Sequence, residues 1–312
     1  MTYNPEKPYK DQILGLIKKT WKTRYVSVYE GTYAVFKRKF AYHEVDHTDG
    51  IGTKGVYHWE ARTLKNAVLD ALAMNLNDLA MARATPYKLQ CHLILPKDDG
   101  KAILDIMKNL VAECKKRDIA ITGGETSIQN NIRGLDISLT VSGFVKEKRK
   151  NQFRAGDVLV GLASSGLHSN GFTTVRKIFG TKRYQEFMES TKIYSDVISR
   201  LDEKYDIHGM MHITGGAYTK LKGIMRNVDV IILNSHELKP QPIFKKIYSK
   251  GVSDIDMYKI FNCGIGFVMS VPGNQAIEIT SKVKDAYIIG EVASGTNKVR
   301  INSMFSDRRI IF

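Results

Sequence analysis

Few cysteines, few prolines and no long apolar run are present in this chain, and each shortage removes a class of protein. The longest apolar stretches are only a few residues, such as Val230-Ile231-Ile232-Leu233, far short of the ~20 residues a membrane-spanning helix needs. The opening MTYNPEKPYKDQ is polar and lacks the apolar core of a secretory signal. Cys91, Cys114 and Cys263 are widely separated and form no CxxC pair, which disfavours a disulfide framework or a structural zinc site. A Walker loop, G-x-x-x-x-G-K-[ST], occurs nowhere. Seven prolines and no repeat or low-complexity tract leave no obvious linker. The expectation is a reduced, cytoplasmic protein of 312 residues, long enough for two ordinary domains.

Acidic residues are also scarce. The chain carries 47 Lys and Arg against 32 Asp and Glu, a net charge of +15. Residues 1–155 hold 26 basic and 17 acidic side chains and residues 156–312 hold 21 and 15, so the excess is spread rather than kept in a tail. Such a balance suits an anionic partner, either nucleic acid or a phosphorylated small molecule. No nucleic-acid motif accompanies it, and the basic residues are dispersed, so a nucleic-acid partner is not expected. The densest run is Lys146-Glu147-Lys148-Arg149-Lys150.

Periodicity divides the chain into elements. A helical patch covers Gln12 to Lys19 in an otherwise polar arm, and Tyr33 to Phe40 reads as a strand followed by a loop through Asp49-Gly50-Ile51-Gly52. Leu64 to Ala84 is helical and apolar almost all round, as in a helix buried between layers. Lys101 to Arg117 is an amphipathic helix. Ile119 to Thr122 is a short strand ending in Gly123-Gly124. Leu135 to Val145 alternates apolar and polar residues as a half-buried strand does. After the polar stretch Lys146 to Gly156 the pattern restarts with a strand at Val158 to Leu162 and a helix from Phe172. Further strands are expected at Val228 to Leu233, Gly264 to Val271 and Ala286 to Val292. Two α/β or α+β domains follow, 1–154 and 155–312.

Several segments set small residues beside acids. In Thr48-Asp49-Gly50-Ile51-Gly52-Thr53-Lys54 the glycines let backbone N–H groups approach an anion, Lys54 offers a point charge and Asp49 a magnesium ligand. A plain glycine-rich turn is the alternative. In Leu64 to Ala84, Asp70 and Asn77 share nearly one face at ~100° per residue, with Asp78 ~80° round from Asp70. Polar groups in such a helix are costly unless partnered. The partners are either a hydrogen-bond network or a metal, and a metal role for Asp78 is the favoured reading. Ile121-Thr122-Gly123-Gly124-Glu125-Thr126 delivers two glycines and an acid. Ser164-Ser165-Gly166-Leu167-His168-Ser169-Asn170-Gly171 and His212-Ile213-Thr214-Gly215-Gly216 set His168 and His212 in polar, glycine-rich loops, where a structural and a catalytic histidine are equally open readings.

Taken in order, TDGIGTKG, LDALAMNLNDLA, ITGGET, GDVLVGLASSGLHSNGFTTVRKI, MMHITGGAYTKL, FNCGIGFVMSV and YIIGEV resemble the phosphoribosylformylglycinamidine cyclo-ligase, or aminoimidazole ribonucleotide (AIR) synthetase, family from about Gly31 to Ile301. The resemblance implies an α+β fold of two domains, whose N-terminal sheets join in a homodimer as a shared barrel. It implies an ATP-dependent ring closure of formylglycinamidine ribonucleotide, with Mg2+. Asp49 and Asp78 would then hold the metal with Asn77 nearby. Gly50, Gly52, Thr53, Lys54, Gly123, Gly124, Glu125 and Thr126 would line the ATP and phosphate site. His168, His212 and Asp78 are the candidate catalytic residues. Ser165, Ser169, Asn170, Thr214, Gly215 and Gly216 are the candidate substrate-binding residues.

The chain also departs from that family. A glycine-rich GGFGALF-like segment is replaced by Glu30-Gly31-Thr32-Tyr33-Ala34-Val35-Phe36. The EMPGMY-like loop after GGET is replaced by Ser127-Ile128-Gln129-Asn130-Asn131-Ile132-Arg133, and the helix before Tyr287 is trimmed. Such trimming suits a compact, divergent or virus-encoded enzyme.

Overall fold

A computed structural model describes residues 9–29, 35–37 and 42–312. The chain divides into two compact units, Met1–Glu147 and Lys148–Phe312, the division falling inside the polar stretch that separates the two patterns in the sequence.

The first unit opens with α1 (Lys10–Ile17), continued as a 3-10 turn over Lys18–Thr20. Strands β1 (Ser27–Tyr29) and β2 (Val35–Lys37) pair antiparallel. The strand expected over Tyr33 to Phe40 is thus seen at its centre, and its flanks lie outside the described residues. Next come β3 (His43–Gly50), a 3-10 turn (Gly52–Lys54), α2 (Gly55–Ala61), α3 (Leu64–Met81), β4 (Thr85–Leu95), α4 (Gly100–Lys116), β5 (Ala120–Ile128) and β6 (Asp136–Val145). The last four strands form one sheet in the order β3-β6-β4-β5. Strands β4 and β5 run parallel, with α4 as the crossover between them.

Strand β4 shows why the sheet has two different faces. Tyr87, Leu89, Cys91, Leu93 and Leu95 are buried, whereas Gln90 and His92 between them are exposed. Helix α3 packs against β3 and β6 and beside α4, so it is enclosed and buries even Asp70, Asn75 and Asn77. It stops at Met81, three residues before the expected end. Arg83 has a φ of 55°, which an α-helix cannot contain.

Two other expectations change here. Asp49 and Gly50 belong to β3, not to a loop, and Gly123-Gly124 lie within β5 rather than at its end. Glycine is compatible with a strand here because Gly124 has a φ of 155° and an added Cβ would collide with the Cys91 carbonyl. The register then sets Asp49 opposite Leu139, Leu139 opposite Cys91 and Cys91 opposite Gly124. The TDG and GGE segments therefore occupy one row across the sheet, on its two edge strands.

The second unit contains β7 (Val158–Ala163), α5 (Phe172–Phe179), α6 (Ser195–Lys204), β8 (Gly209–His212), β9 (Val228–Ile232), α7 (Pro242–Tyr248), α8 (Asp254–Ile260), β10 (Ile265–Val271), α9 (Gly273–Lys282), β11 (Ala286–Ser294), β12 (Val299–Asn302) and β13 (Arg309–Ile311). Its sheet runs β13-β12-β9-β11-β7-β10-β8. Every pairing is antiparallel except that of β9 with β12, which makes the architecture α+β. Strand β10 is buried along its whole length, as a central strand covered on both faces must be.

Candidate active site

In the first unit the strand period brings His47 and Asp49 to one face of β3, and α3 packs against that strand. Asn75 and Asp78, three residues apart, share a side of α3. The side chains interlock. Asn75 Nδ2 donates to the Asp49 carbonyl at 3.0 Å and to the Ala71 carbonyl at 2.9 Å. Its Oδ1 therefore accepts from His47 Nδ1 at 3.1 Å. His47 Nε2 lies 3.4 Å from Asp78 Oδ2. The Asp78 carboxylate raises the His47 pKa above its ordinary value, against the opposing effect of burial, with Asp49 contributing in the same direction. Asp49 Oδ1 accepts the Gly50 N–H at 2.7 Å.

Asp49 and Asp78 are thus gathered about one imidazole, as oxygen donors of the kind magnesium accepts. His47 was not singled out in the sequence, and Asn75 only as one of four polar side chains of that helix, although both carry a readable signal: two residues before Asp49 on a strand and three before Asp78 on a helix. Asn77 does not join them. It is fully buried on the Asp70 side of α3, since seven residues make nearly two helical turns.

Lys54 departs from its expected place as a phosphate ligand. Its side chain has no exposure, and its Nζ bonds Asp70 Oδ1 at 3.0 Å and Oδ2 at 2.8 Å. His58 Nε2 meets the same carboxylate at 2.7 Å, and its Nδ1 meets Thr63 Oγ1 at 2.7 Å. Burial alone would raise the Asp70 pKa. The Lys54 charge and the His58 bond outweigh it and hold the carboxyl well below the usual range. This buried triad partners Asp70 without a metal and ties the 3-10 turn to α3. Beside it, Gly52 and Thr53 are exposed, and Gly52 has a φ of 52°. On β5, Glu125 is exposed and its Oε1 accepts the Thr126 N–H at 3.0 Å.

In the second unit, the loop after β7 is held by the FNCGIG block. Asn262 Nδ2 donates to the Gly166 carbonyl at 2.7 Å, its Oδ1 accepts the Gly264 N–H at 2.9 Å, and Ser164 N–H donates to the Gly264 carbonyl at 2.9 Å. Ser165 Oγ donates to the Ser190 carbonyl at 2.5 Å, and the Ser169 and Thr191 hydroxyls lie 3.0 Å apart. Ser165 N–H donates to His168 Nε2 at 3.2 Å, so that nitrogen carries no proton while the bond stands.

His168 and His212 do not face an open loop. Both are fully buried, their rings 6.4 Å apart, with Tyr194 6.1 Å from each and Phe267 6.2 Å from His212. His212 is the last residue of β8, not a loop residue. Gly266 leaves room for this cluster, because a Cβ there would strike the Tyr194 hydroxyl and the His168 ring.

The two glycine-rich loops do come together at Asn170. Its Oδ1 lies 3.5 Å from where a Cβ on Gly215 would sit. Asn170 Nδ2 is shielded from solvent and has no hydrogen-bond partner, an arrangement that costs free energy until an acceptor arrives. Thr214 Oγ1 accepts from Lys220 Nζ at 2.7 Å, and Gly215 and Gly216 are exposed. Lys220, unremarked in the sequence, places a cation beside these loops.

Fold and site define a two-domain α+β protein of the AIR synthase class. Residues 33–145 match the family model "AIR synthase related protein, N-terminal domain", and residues 154–302 match "AIR synthase related protein, C-terminal domain". The chain belongs to this family. It is 35% identical over 300 residues to the phosphoribosylformylglycinamidine cyclo-ligase of Saccharolobus solfataricus, covering 92% of this chain and 90% of that protein. To the cyclo-ligase of Thermococcus gammatolerans it is 33% identical over 304 residues, covering 90% of each. Among solved structures, E. coli HypE, a hydrogenase maturation protein, superposes with a TM-score of 0.70 at 16% identity, covering 97% of this chain and 96% of that one. Thiamine-monophosphate kinase from Stenotrophomonas maltophilia superposes with a TM-score of 0.69 at 18% identity, covering 96% of each. These two likenesses establish the fold.

Proposed function

We infer that the chain catalyses the ATP-dependent cyclisation of formylglycinamidine ribonucleotide to aminoimidazole ribonucleotide, a ligase reaction of purine biosynthesis. The observation that carries this reading is the near end-to-end likeness to cyclo-ligases, which takes in both units. ATP phosphorylates the formyl amide oxygen, an amidine nitrogen attacks that carbon, and ring closure expels phosphate, leaving ADP. The amide oxygen is a poor leaving group until it is phosphorylated, so the protein's task is to position two phosphate-bearing ligands and stabilise the charge of the transferred group.

In this reading Asp49 and Asp78 would hold magnesium. Among the described residues no set of three His, Cys, Asp or Glu side chains is arranged to hold a metal by itself. Magnesium, when bound, would spread the charge of the transferred phosphoryl group. His47, 3.4 Å from Asp78, would restrain its carboxylate. Gly50, Gly52, Thr53, Gly123, Gly124, Glu125 and Thr126 would face the nucleotide, while Lys54 holds their turn from inside. Asn170, Ser165, Ser169, Thr214, Gly215 and Gly216 would face the ribonucleotide, Asn170 Nδ2 donating to it. His168 and His212 would set the shape of the loop that carries Asn170. A homodimer formed through the first unit's sheet, and a cytoplasmic location, belong to the same proposal. No helix among the described residues is long and apolar enough to cross a membrane.

The direct test mixes the purified protein with ATP, magnesium and formylglycinamidine ribonucleotide and follows the aminoimidazole product. A folded, ATP-binding protein that gives none overturns the assignment. ADP release with a different acceptor would instead favour another ATP-using enzyme of this fold. Sedimentation of the full chain tests the dimer.

A further inference from the structure

The second unit contains a cleft lined by none of the residues assigned above to the cyclisation. It has a volume of about 510 Å³ and lies between α6 and the turn joining α9 to β11, within the range of about 300–1,000 Å³ typical of small-molecule sites. Ile193, Val197, Leu201 and Val283 supply apolar walls. Lys192, Arg200, Lys282 and Lys284 stand against a single acid, Asp285. Lys192 reaches that acid at 3.4 Å, and Lys282 pairs with Glu278 on its own helix at 2.5 Å. Arg200 and Lys284 are exposed and form no ion pair with any described residue. An unpaired guanidinium and ammonium on either side of an apolar floor match a particular chemistry: a phosphate or comparable dianion for the cations, carried on a body that the floor removes from water.

We propose that this cleft is a second ligand site, for an organic phosphate monoester, in which Arg200 and Lys284 hold the phosphate while Ile193, Val197 and Val283 cover the body. Asn170 and Gly215 do not line it, and the proposal does not depend on the cyclo-ligase assignment. It also accounts locally for part of the cationic excess that ATP and one ribonucleotide leave over.

The test follows the methyl resonances of Ile193, Val197, Leu201 and Val283 in the full chain during titration with AMP, with adenosine and with inorganic phosphate. The expected result is saturable movement of these methyls with AMP, at least tenfold weaker in Arg200→Glu and in Lys284→Glu. The two variants distinguish binding in the cleft from an effect relayed from AMP bound elsewhere. Adenosine should leave them in place, and inorganic phosphate should bind more weakly than AMP. Both variants alter exposed side chains, so an unchanged methyl spectrum before titration verifies the fold, and turnover of formylglycinamidine ribonucleotide should be unaffected. The proposal is overturned if the methyls stay fixed at millimolar AMP. Equal response to adenosine, equal affinity for inorganic phosphate, or unchanged affinity in both variants would each overturn it as well.

Discussion

One cluster from each unit shows a different way of burying a polar side chain. In the first, Asp70 lies at the centre of a helix with no exposure and stays ionised, because Lys54 and His58 bond it from an adjoining turn and helix. In the second, His168 and His212 are equally buried but sit among aromatic rings, with Tyr194 and Phe267 as neighbours. One unit holds charge in a closed network and leaves a second acid, Asp78, at the edge of that helix. The other holds rings that shape a loop and leaves one amide, that of Asn170, without a partner. We propose that in both the buried polar residues support and a less buried neighbour acts. Whether each residue is support or actor is what the following experiments decide.

Asp78→Asn carries the largest expected effect. It keeps the shape and the bond to His47 but removes a charge, so turnover should fall by roughly three to five orders of magnitude, about 4–7 kcal/mol of transition-state stabilisation. The urea midpoint should move little. Near-normal turnover would return Asp78 to the supporting class and with it the magnesium assignment.

Asp70→Asn should do the reverse, costing about 3–5 kcal/mol of stability because Lys54 is left buried without its counter-charge. Urea denaturation measures it, and a loss below about 1 kcal/mol would mean that the triad is not the anchor of this unit. The pH dependence has a definite sign. The folded Asp70 pKa lies below its unfolded value near 3.8. Its contribution is therefore present above that value and lost as pH falls below it. Asp70→Asn should be less sensitive to acid than the parent protein in that window.

These contrasts also mark where the sequence could and could not be read. The enclosed character of α3 was plain from apolar residues on all sides, and so was the cost of polar groups inside it. The partner of Asp70 was not, since Lys54 and His58 precede it by 16 and 12 residues and meet it only once α2 folds back. Lys54 looked like a phosphate ligand because it follows two glycines, yet tertiary burial overrides the motif. His168 and His212 stood in polar, glycine-rich text, and nothing local announced that Tyr194, 26 residues beyond the first, would cover both. The GGET strand was cut short because glycines ordinarily end strands. Here the close approach of the Cys91 carbonyl makes Gly124 necessary within one. Strands β3 and β4 carry a weak signal in the sequence: β3 has one apolar residue, Val45, and the alternation of β4 is broken by the apolar run Leu93-Ile94-Leu95.

A smaller effect tests the actor of the second unit. Asn170→Ala removes a donor that the free protein leaves unsatisfied, so the free protein should gain slightly in stability while KM for the ribonucleotide rises roughly tenfold, about 1.4 kcal/mol. If KM is unchanged and stability falls, Asn170 belongs with the supports and the two units differ more than proposed.

The smallest expected effect concerns a third buried histidine of the second unit. His236 is 7% exposed and its Nδ1 has no hydrogen-bond partner. Burial, aided by the Lys239 charge, pushes its pKa down from 6.5 to about 4. The unfolded chain therefore takes up a proton between pH 6.5 and about 4 that the folded chain refuses, so stability should decline through this window as pH falls. That is the opposite region from Asp70, whose loss begins only below it. His236→Gln, which cannot titrate, should flatten the decline above pH 4 and leave the steeper loss at lower pH untouched. A variant that keeps the full slope between pH 6.5 and 4 would show that a charged group elsewhere sets it.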